Sequence, residues 1–171
     1  PEEAIPCHDQ VLVLDPRNVA TWCNRGSSLT YLDRYEEAIA CYDSALGLDP
    51  TNVKARTEKS GALDILGRHE DALACIDQAL ELARSDAGVW RTKGDILIRL
   101  GRFEDAMHSY DESLELDPWS TDTQNNKGFS LDSLGRHEEA IACYDEALKQ
   151  DPGNILALYN KGRSLHGLGR Y

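Results

Sequence analysis

The sequence of 171 residues predicts an all-α fold, an α-solenoid in which antiparallel pairs of helices repeat along the chain. The dipeptide Asp-Pro occurs at 15–16, 49–50, 117–118 and 151–152, with spacings of 34, 68 and 34 residues. Each period also contains two segments whose apolar residues recur every three to four positions, which is the periodicity of an amphipathic helix. A fixed period of this length is typical of stacked units that bury their faces against their neighbours.

The third period shows both helices of a unit most clearly. Its first segment, 89–100, places Trp90, Gly94 and Leu97 on one helix face, and its second segment runs from about residue 104 to residue 116. A left-handed residue between the two segments predicts a tight antiparallel return, because it ends the first helix. That register is occupied by Asp33, Gly67, Gly101, Gly135 and Gly169. The proline of Asp-Pro follows the second helix and cannot continue it.

These residues resemble the pattern of the tetratricopeptide repeat (TPR) family. The third period supplies Trp90, Gly94, Leu97, Ala106, Tyr110 and Pro118, and the first supplies Trp22, Gly26, Leu29, Ala38, Tyr42, Ala45 and Pro50. The second period departs most, with Arg56, Ser60, Ile76 and Arg84, while Ser113 and Gln124 are departures in the third and fourth. The resemblance covers nearly the whole chain. It implies a right-handed superhelix whose concave groove binds extended peptides or partner helices.

The periodicity predicts a single repeat array. A half repeat at 1–18 contains only a second helix, and a half repeat at 155–171 contains only a first helix. Whole repeats lie between them at 19–52, 53–86, 87–120 and 121–154. Pro6 predicts that the first helix begins near Ile5. Because both ends fall at the same register and the chain lacks an initiator Met, we expect a piece of a longer array.

Charge and composition narrow the class of partner. The chain carries 18 Lys and Arg against 30 Asp and Glu, a formal net charge of −12. Binding to nucleic acid or to an anionic membrane needs clustered cations, which this balance disfavours. No segment approaches the roughly 18 apolar residues of a membrane-spanning helix. We therefore predict a protein or peptide partner, with no nucleic acid and no membrane.

No catalytic, metal or cofactor motif is present in the sequence. Of the five cysteines, four share one repeat register, Cys7, Cys41, Cys75 and Cys143. Neighbouring helices lie about 10 Å apart, too far for one disulfide or one zinc site. Unpaired thiols are typical of a reducing compartment, so we expect a cytoplasmic protein.

Acidic pairs at 36–37, 70–71, 104–105 and 138–139 open the second helices, where negative charge suits the helix dipole. His69 and His137 occupy an aromatic position of the repeat. These features predict a non-catalytic protein without metal or cofactor.

The predicted ligand-binding residues lie on the first helices, on the face that an advance of 100° per residue places opposite the core positions. They are Asn24, Tyr31, Lys54, Arg91, Arg99, Asn125, Asn126, Phe129, Tyr159, Asn160 and Arg163. Asp132 and Leu156 face the same way. Asn24, Asn126 and Asn160 share one register, and an amide can donate to and accept from a ligand backbone. Tolerated surface asparagines explain the same pattern equally well. The Lys–Asn pair with which the family clamps chaperone tails is missing at the matching positions, which disfavours that class of ligand.

The main hypothesis is a protein–protein interaction scaffold that binds a peptide segment in its groove, and two alternatives remain open. Matching half repeats would let copies of the chain stack end to end into a homo-oligomer, with heterologous contacts that generate filaments. The contact residues would be Ile5, Leu12, Leu158, Leu165 and Leu168. In the other alternative, the array is the substrate-docking segment of a larger enzyme.

Overall fold

The computed structural model describes residues 2–170, and within that range it contains ten α-helices and no β-strand. The predicted all-α helical repeat is confirmed. The helices divide into two compact units, one up to Ala83 and one from Arg84. The first unit contains α1 (Ala4–Leu14), α2 (Val19–Tyr31), α3 (Tyr35–Leu48), α4 (Val53–Ile65) and α5 (His69–Leu82). The second contains α6 (Ala87–Arg99), α7 (Phe103–Leu116), α8 (Thr121–Ser133), α9 (His137–Gln150) and α10 (Ile155–Gly167).

In the first unit, helix pairs pack as α2 with α3 and α4 with α5, and α3 also contacts α4. Helix α1 packs on α2 and begins at Ala4, close to the start that Pro6 predicts. One core cluster joins Ile5 of α1 to Leu29 of α2 and to Tyr42 of α3, all of them buried. The apolar stripes of neighbouring helices therefore form a continuous core, as expected for stacked repeats.

The second unit repeats this arrangement. Its pairs are α6 with α7 and α8 with α9, while α10 packs on α9 and also contacts α8. Leu131, Ala140 and Tyr144 form a buried cluster against which Met107 of α7 packs. Helix α10 is thus held by the preceding pair.

Each turn between paired helices, and the turn after α10, contains the left-handed residue that the sequence predicts. The φ angles are +57° at Asp33, +76° at Gly67, +70° at Gly101, +74° at Gly135 and +66° at Gly169. In each turn the next amide donates back to the first helix, as Arg102 does to the Leu97 carbonyl at 2.9 Å. The glycine conformation and this hydrogen bond together end the helix.

The two kinds of helix begin in different ways. First helices have side-chain caps that accept hydrogen bonds from backbone amides, and these caps are Asn18, Asn52, Asp86, Ser120 and Asn154. Second helices α3, α5, α7 and α9 have an arginine at the cap position without such a bond. The arginine instead pairs with an acid three residues later, as Arg136 does with Glu139 at 2.6 Å. The acidic pairs read from the sequence therefore lie in the first turns of these helices, where they interact favourably with the dipole.

Three tyrosines lie inside the helix pairs, each with its ring against a glycine of the first helix. Tyr42, Tyr110 and Tyr144 have no exposed area. A Cβ added to Gly26, Gly94 or Gly128 would lie 2.5, 2.4 or 2.5 Å from a ring carbon of these residues. The small residue of the repeat pattern is therefore required by close approach of the ring rather than by backbone conformation.

Candidate interaction surface

The groove face is defined here for each unit by itself, as the side of α2 and α4 in the first unit, and of α6, α8 and α10 in the second, that carries the predicted ligand-binding residues. In the first unit, a polar network fills the space between α2 and α4. The Glu58 carboxylate accepts hydrogen bonds from the Tyr42 and Ser27 hydroxyls, both at 2.9 Å, and Thr30 lies 3.2 Å from the same phenol oxygen. Asn24, Tyr31 and Lys54 are exposed. This junction is closed by polar side chains, and the apolar groups exposed on its two helices are Tyr31 and Ile65 at their C-terminal ends.

Between α6 and α8, Asp95 holds the same place in the network. Its Oδ1 accepts from the Tyr110 hydroxyl at 2.7 Å and from the Asn126 amide at 2.8 Å. Arg91, one turn earlier, approaches Oδ2 at 3.6 Å. Arg99 is exposed at the end of α6. The predicted residues Arg91 and Asn126 are thus brought together here, and both are engaged with a carboxylate of the protein.

The third junction, between α8 and α10, has a carboxylate at its floor. Asp132 Oδ2 accepts from the Ser164 hydroxyl at 2.6 Å and from the Tyr144 hydroxyl at 3.1 Å. Its Oδ1 lies 2.9 Å from His137 Nδ1. Burial, followed by the charge of Asp132, raises the pKa of the Tyr144 phenol above its ordinary value. The phenol therefore remains a donor, and both carboxylate oxygens are engaged.

An open cleft of about 190 Å³ lies directly over this floor. We call it the α8–α10 cleft. It is lined by Phe129, Asp132, Ser133, His137, Arg163 and Ser164. Two further side chains on the groove face of α10 extend the surface, since Leu156 is 54% exposed and Tyr159 is 65% exposed. Apolar and cationic groups are therefore accessible side by side at this junction.

Two of the predicted residues have little surface for a ligand. Asn125 is 1% exposed, and its amide nitrogen lies 3.4 Å from the Asn154 side chain that caps α10. Asn160 is 7% exposed. Of the three asparagines at the shared register, only Asn24 is fully accessible, and Asn126 is bonded to Asp95. The described residues therefore do not present a continuous row of ligand-facing amides.

The residues predicted for end-to-end association also differ in exposure. Ile5 and Leu12 are buried, at 8% and 9% exposed, because they pack into the first unit. On α10, Leu158 is half exposed, while Leu165 and Leu168 are partly covered. The apolar residues that α1 exposes most are Val13 and Leu14, at 81% and 87%. Self-association stays a prediction.

Sequence reasoning missed how the floor of the cleft is connected. It selected neither Ser164 nor the contact between Asp132 and His137. A signal for that contact is present, because Asp64 and His69 have the same spacing of five residues in the second repeat, and His69 Nδ1 lies 2.7 Å from Asp64 Oδ1. The recurrence of an acid before the second-helix histidine predicts such a pair.

Metal ligands and reactive thiols are the other groups that could carry chemistry in residues 2–170. No group of three or more His, Cys, Asp or Glu side chains in that range could hold a metal ion. The five cysteines are free thiols, and burial raises the pKa of Cys23, Cys41, Cys75 and Cys143. A raised pKa keeps a thiol protonated and weakly nucleophilic. None of the described helices is long and apolar enough to cross a membrane.

Family models settle the classification. Three models described as tetratricopeptide repeat match the chain, one over 19–52 and 121–154, one over 62–120 and one over 143–171. The chain belongs to the tetratricopeptide repeat family. Proteins of this family bind protein or peptide partners, and the fold supports a protein–protein interaction scaffold. TPR repeat proteins are generally non-catalytic scaffolds.

Solved structures with this fold share low sequence identity with the chain. MamA from Desulfovibrio magneticus RS-1, residue 41 to the end, is 19% identical with a TM-score of 0.83, over 91% of this chain and 88% of that one. YrrB, described as a TPR protein with an unusual peptide-binding site, is 21% identical with a TM-score of 0.77, over 95% and 84%. TTC0263, a thermophilic TPR protein in Thermus thermophilus, is 20% identical with a TM-score of 0.78, over 98% and 90%. At these identities the likeness concerns the fold. No curated protein sequence gives a significant match.

Proposed function

We propose that this TPR protein is a non-catalytic scaffold that binds a peptide segment of a partner protein on its groove face, with the α8–α10 cleft as the principal contact. The observation that carries the proposal is the open cleft lined by Phe129 and Arg163, together with the exposed Tyr159 one turn before Arg163 on α10. Aromatic residues and arginine dominate the binding energy of protein interfaces when they lie in well-packed pockets. Arg99, a predicted groove residue of the same unit, would contribute a weaker contact.

The size of the cleft favours a side chain over a whole small molecule. Pockets for small ligands span about 300–1,000 Å³, and the cleft of about 190 Å³ is smaller and open. Tyr159 and Leu156 continue the surface beyond the cleft on α10. An extended segment that inserts one side chain and lays its neighbours along α10 fits this shape.

The floor of the cleft is preorganised for such a contact. Asp132 is held by three donors or partners from α9 and α10, namely His137, Tyr144 and Ser164. A rigid floor reduces the conformational entropy that binding must overcome. YrrB, which has the same fold, is described as having an unusual peptide-binding site, and this supports peptide binding as a use of the fold.

A selection from a random-peptide display library on the purified chain tests the proposal, followed by calorimetric titration of the selected peptides. We expect Phe129→Ala and Tyr159→Ala to weaken binding about tenfold each, because both remove an aromatic anchor. The matched control is Trp119→Ala, which removes an aromatic residue that is 72% exposed in the loop before α8. Failure to select any binder, or equal losses for Trp119→Ala and Phe129→Ala, would contradict the proposal.

A further inference from the structure

We infer that the partner segment carries an acidic side chain that pairs with Arg163, about three residues along a chain in the polyproline II conformation from an apolar side chain that packs on α10. The inference rests on the proposed function, because it names the chemistry of the segment that the α8–α10 cleft would bind. Its evidence is the exposed and unpaired guanidinium of Arg163, the hydrogen bonds of Asp132, and the spacing of side chains along α10.

Arg163 is available to a ligand. Its side chain is exposed and lines the cleft, and no hydrogen bond or ion pair joins its guanidinium to another described residue. Arg91, on the same face of α6, is instead within 3.6 Å of Asp95. Phe129 lines the same cleft, so a carboxylate bound to this guanidinium would be partly shielded from water, which strengthens a charge-assisted hydrogen bond.

Asp132, the acidic residue that lines the cleft, is not hydrogen-bonded to this guanidinium. Asp132 is already bonded to His137, Tyr144 and Ser164, so its oxygens have donors from α9 and α10. Its carboxylate is therefore held at the floor instead of turning toward Arg163. A carboxylate supplied by the partner would bind the guanidinium through two parallel hydrogen bonds, the geometry that suits arginine better than lysine.

The distance along α10 defines the spacing in the ligand. Leu156, Tyr159 and Arg163 are separated by three and four residues, so they lie on one face of the helix. At 1.5 Å per residue, Leu156 and Arg163 are about 10 Å apart along the axis. A polyproline II helix has three residues per turn and rises about 3.1 Å per residue, so side chains three residues apart lie on the same side of the ligand and cover about 9 Å. The apolar side chain would pack between Leu156 and Tyr159, and the acidic one would reach Arg163.

Short synthetic peptides labelled with fluorescein test the inference by fluorescence anisotropy. Each peptide has one Leu and one Glu in a Pro/Ala background that favours polyproline II, at a spacing of about three residues or at about one and about six residues. Matched peptides carry Gln or Lys in place of Glu. We expect the Glu peptide with the three-residue spacing to bind about tenfold more tightly than its Gln counterpart.

Charge reversal at Arg163 sharpens the test. Arg163→Glu should remove the preference for Glu and favour the Lys peptide instead. Lys149→Glu is the control, because Lys149 is exposed on α9, pairs with Glu146 outside the cleft, and gives the same change in net charge. We expect it to leave the preference unchanged.

The outcomes separate this inference from the proposed function. Equal binding of Glu and Gln peptides to the unaltered chain, with both lost in Phe129→Ala, would overturn the acidic contact and retain the binding site. A Glu preference that survives in Arg163→Glu would likewise overturn it. If no peptide binds and display selection also fails, the proposed function itself is wrong.

Discussion

Helix pairs α4–α5 and α6–α7 build the same hairpin with different side chains. In α6–α7, the fully buried ring of Tyr110 lies against Gly94, and an added Cβ there would approach the ring to 2.4 Å. In α4–α5, the same two registers hold Ile76 and Ser60, both with no exposed area. The smaller Ile76 leaves room for a side chain on the first helix, and Ser60 fills it while its hydroxyl donates to the Thr57 carbonyl at 2.7 Å.

The tryptophan register differs in a similar way. The Trp90 indole nitrogen donates to the Arg84 carbonyl at 2.9 Å, and Trp22 makes the matching bond to Pro16 at 3.0 Å. Arg56 replaces tryptophan in α4, and its guanidinium donates to the Pro50 carbonyl at 2.5 Å. The carbonyl six residues upstream is therefore satisfied in each case. Departures from the family pattern in the second repeat preserve packing volume and hydrogen bonds, so they change the side chains without removing the hairpin.

Adding a side chain at the glycine position that faces the tyrosine ring is expected to give the largest loss of stability. Gly94→Ala places a Cβ 2.4 Å from a carbon of the Tyr110 ring and should lower the free energy of unfolding by about 2–3 kcal/mol. Gly162→Ala is the matched control, because it lies at the same register of α10 and an added Cβ has no heavy atom within 4 Å. That control should be neutral or stabilising by up to about 1 kcal/mol, from helix propensity. Urea unfolding followed by circular dichroism measures both, and similar losses in the two variants would contradict steric exclusion.

Converting the second repeat toward the third is the next test. Ile76→Tyr alone should cost about 1–3 kcal/mol, because its ring would meet the Ser60 side chain. Ser60→Gly alone should cost about 1 kcal/mol through lost helix propensity and packing. In the double variant the ring gains its space, so the combined loss should be smaller than the sum of the two, with a coupling of about 1 kcal/mol or more. Strict additivity in the double-mutant cycle would show that the two positions vary independently.

A smaller effect concerns the charge state of the buried ring. Burial, followed by the charge of Asp95, raises the pKa of Tyr110 above its ordinary value of 10.0, whereas Ile76 has no titrating group. The contribution of Tyr110 to the free energy of unfolding is complete below about pH 10 and is lost as the pH rises above it. In that range the tyrosine ionises in the unfolded chain but not in the folded one. When the pH is raised from 8 to about one unit above 10, the free energy of unfolding should fall by about 1 kcal/mol less in Tyr110→Phe than in the unaltered chain. Urea unfolding at the two pH values gives the difference, and parallel losses would contradict the assignment.

Much of the fold can be predicted from local sequence. The left-handed residues, including Asp33, lie where the turn chemistry predicts, and the acidic pairs lie in the first turns of second helices. Less of the interaction surface can be predicted. Asn125 points away from the core of its own hairpin by angle, yet it is 1% exposed because α10 covers it. A helical angle orders residues around one helix and cannot reveal which neighbouring helix covers a given side.

Local sequence specifies the repeat, the limits of its helices and the membership in the TPR family, because caps, turns and apolar periodicity act within a few residues of one another. Packing between helices, in contrast, determines which polar side chains are hydrogen-bonded within the protein and which remain accessible to a ligand. Glu58 and Asp95 close two junctions of the groove face, whereas Asp132 lies at the floor of a third that stays open beside Phe129 and Arg163. These contacts join residues up to 32 positions apart, so they depend on how separate helices pack, which local sequence does not encode.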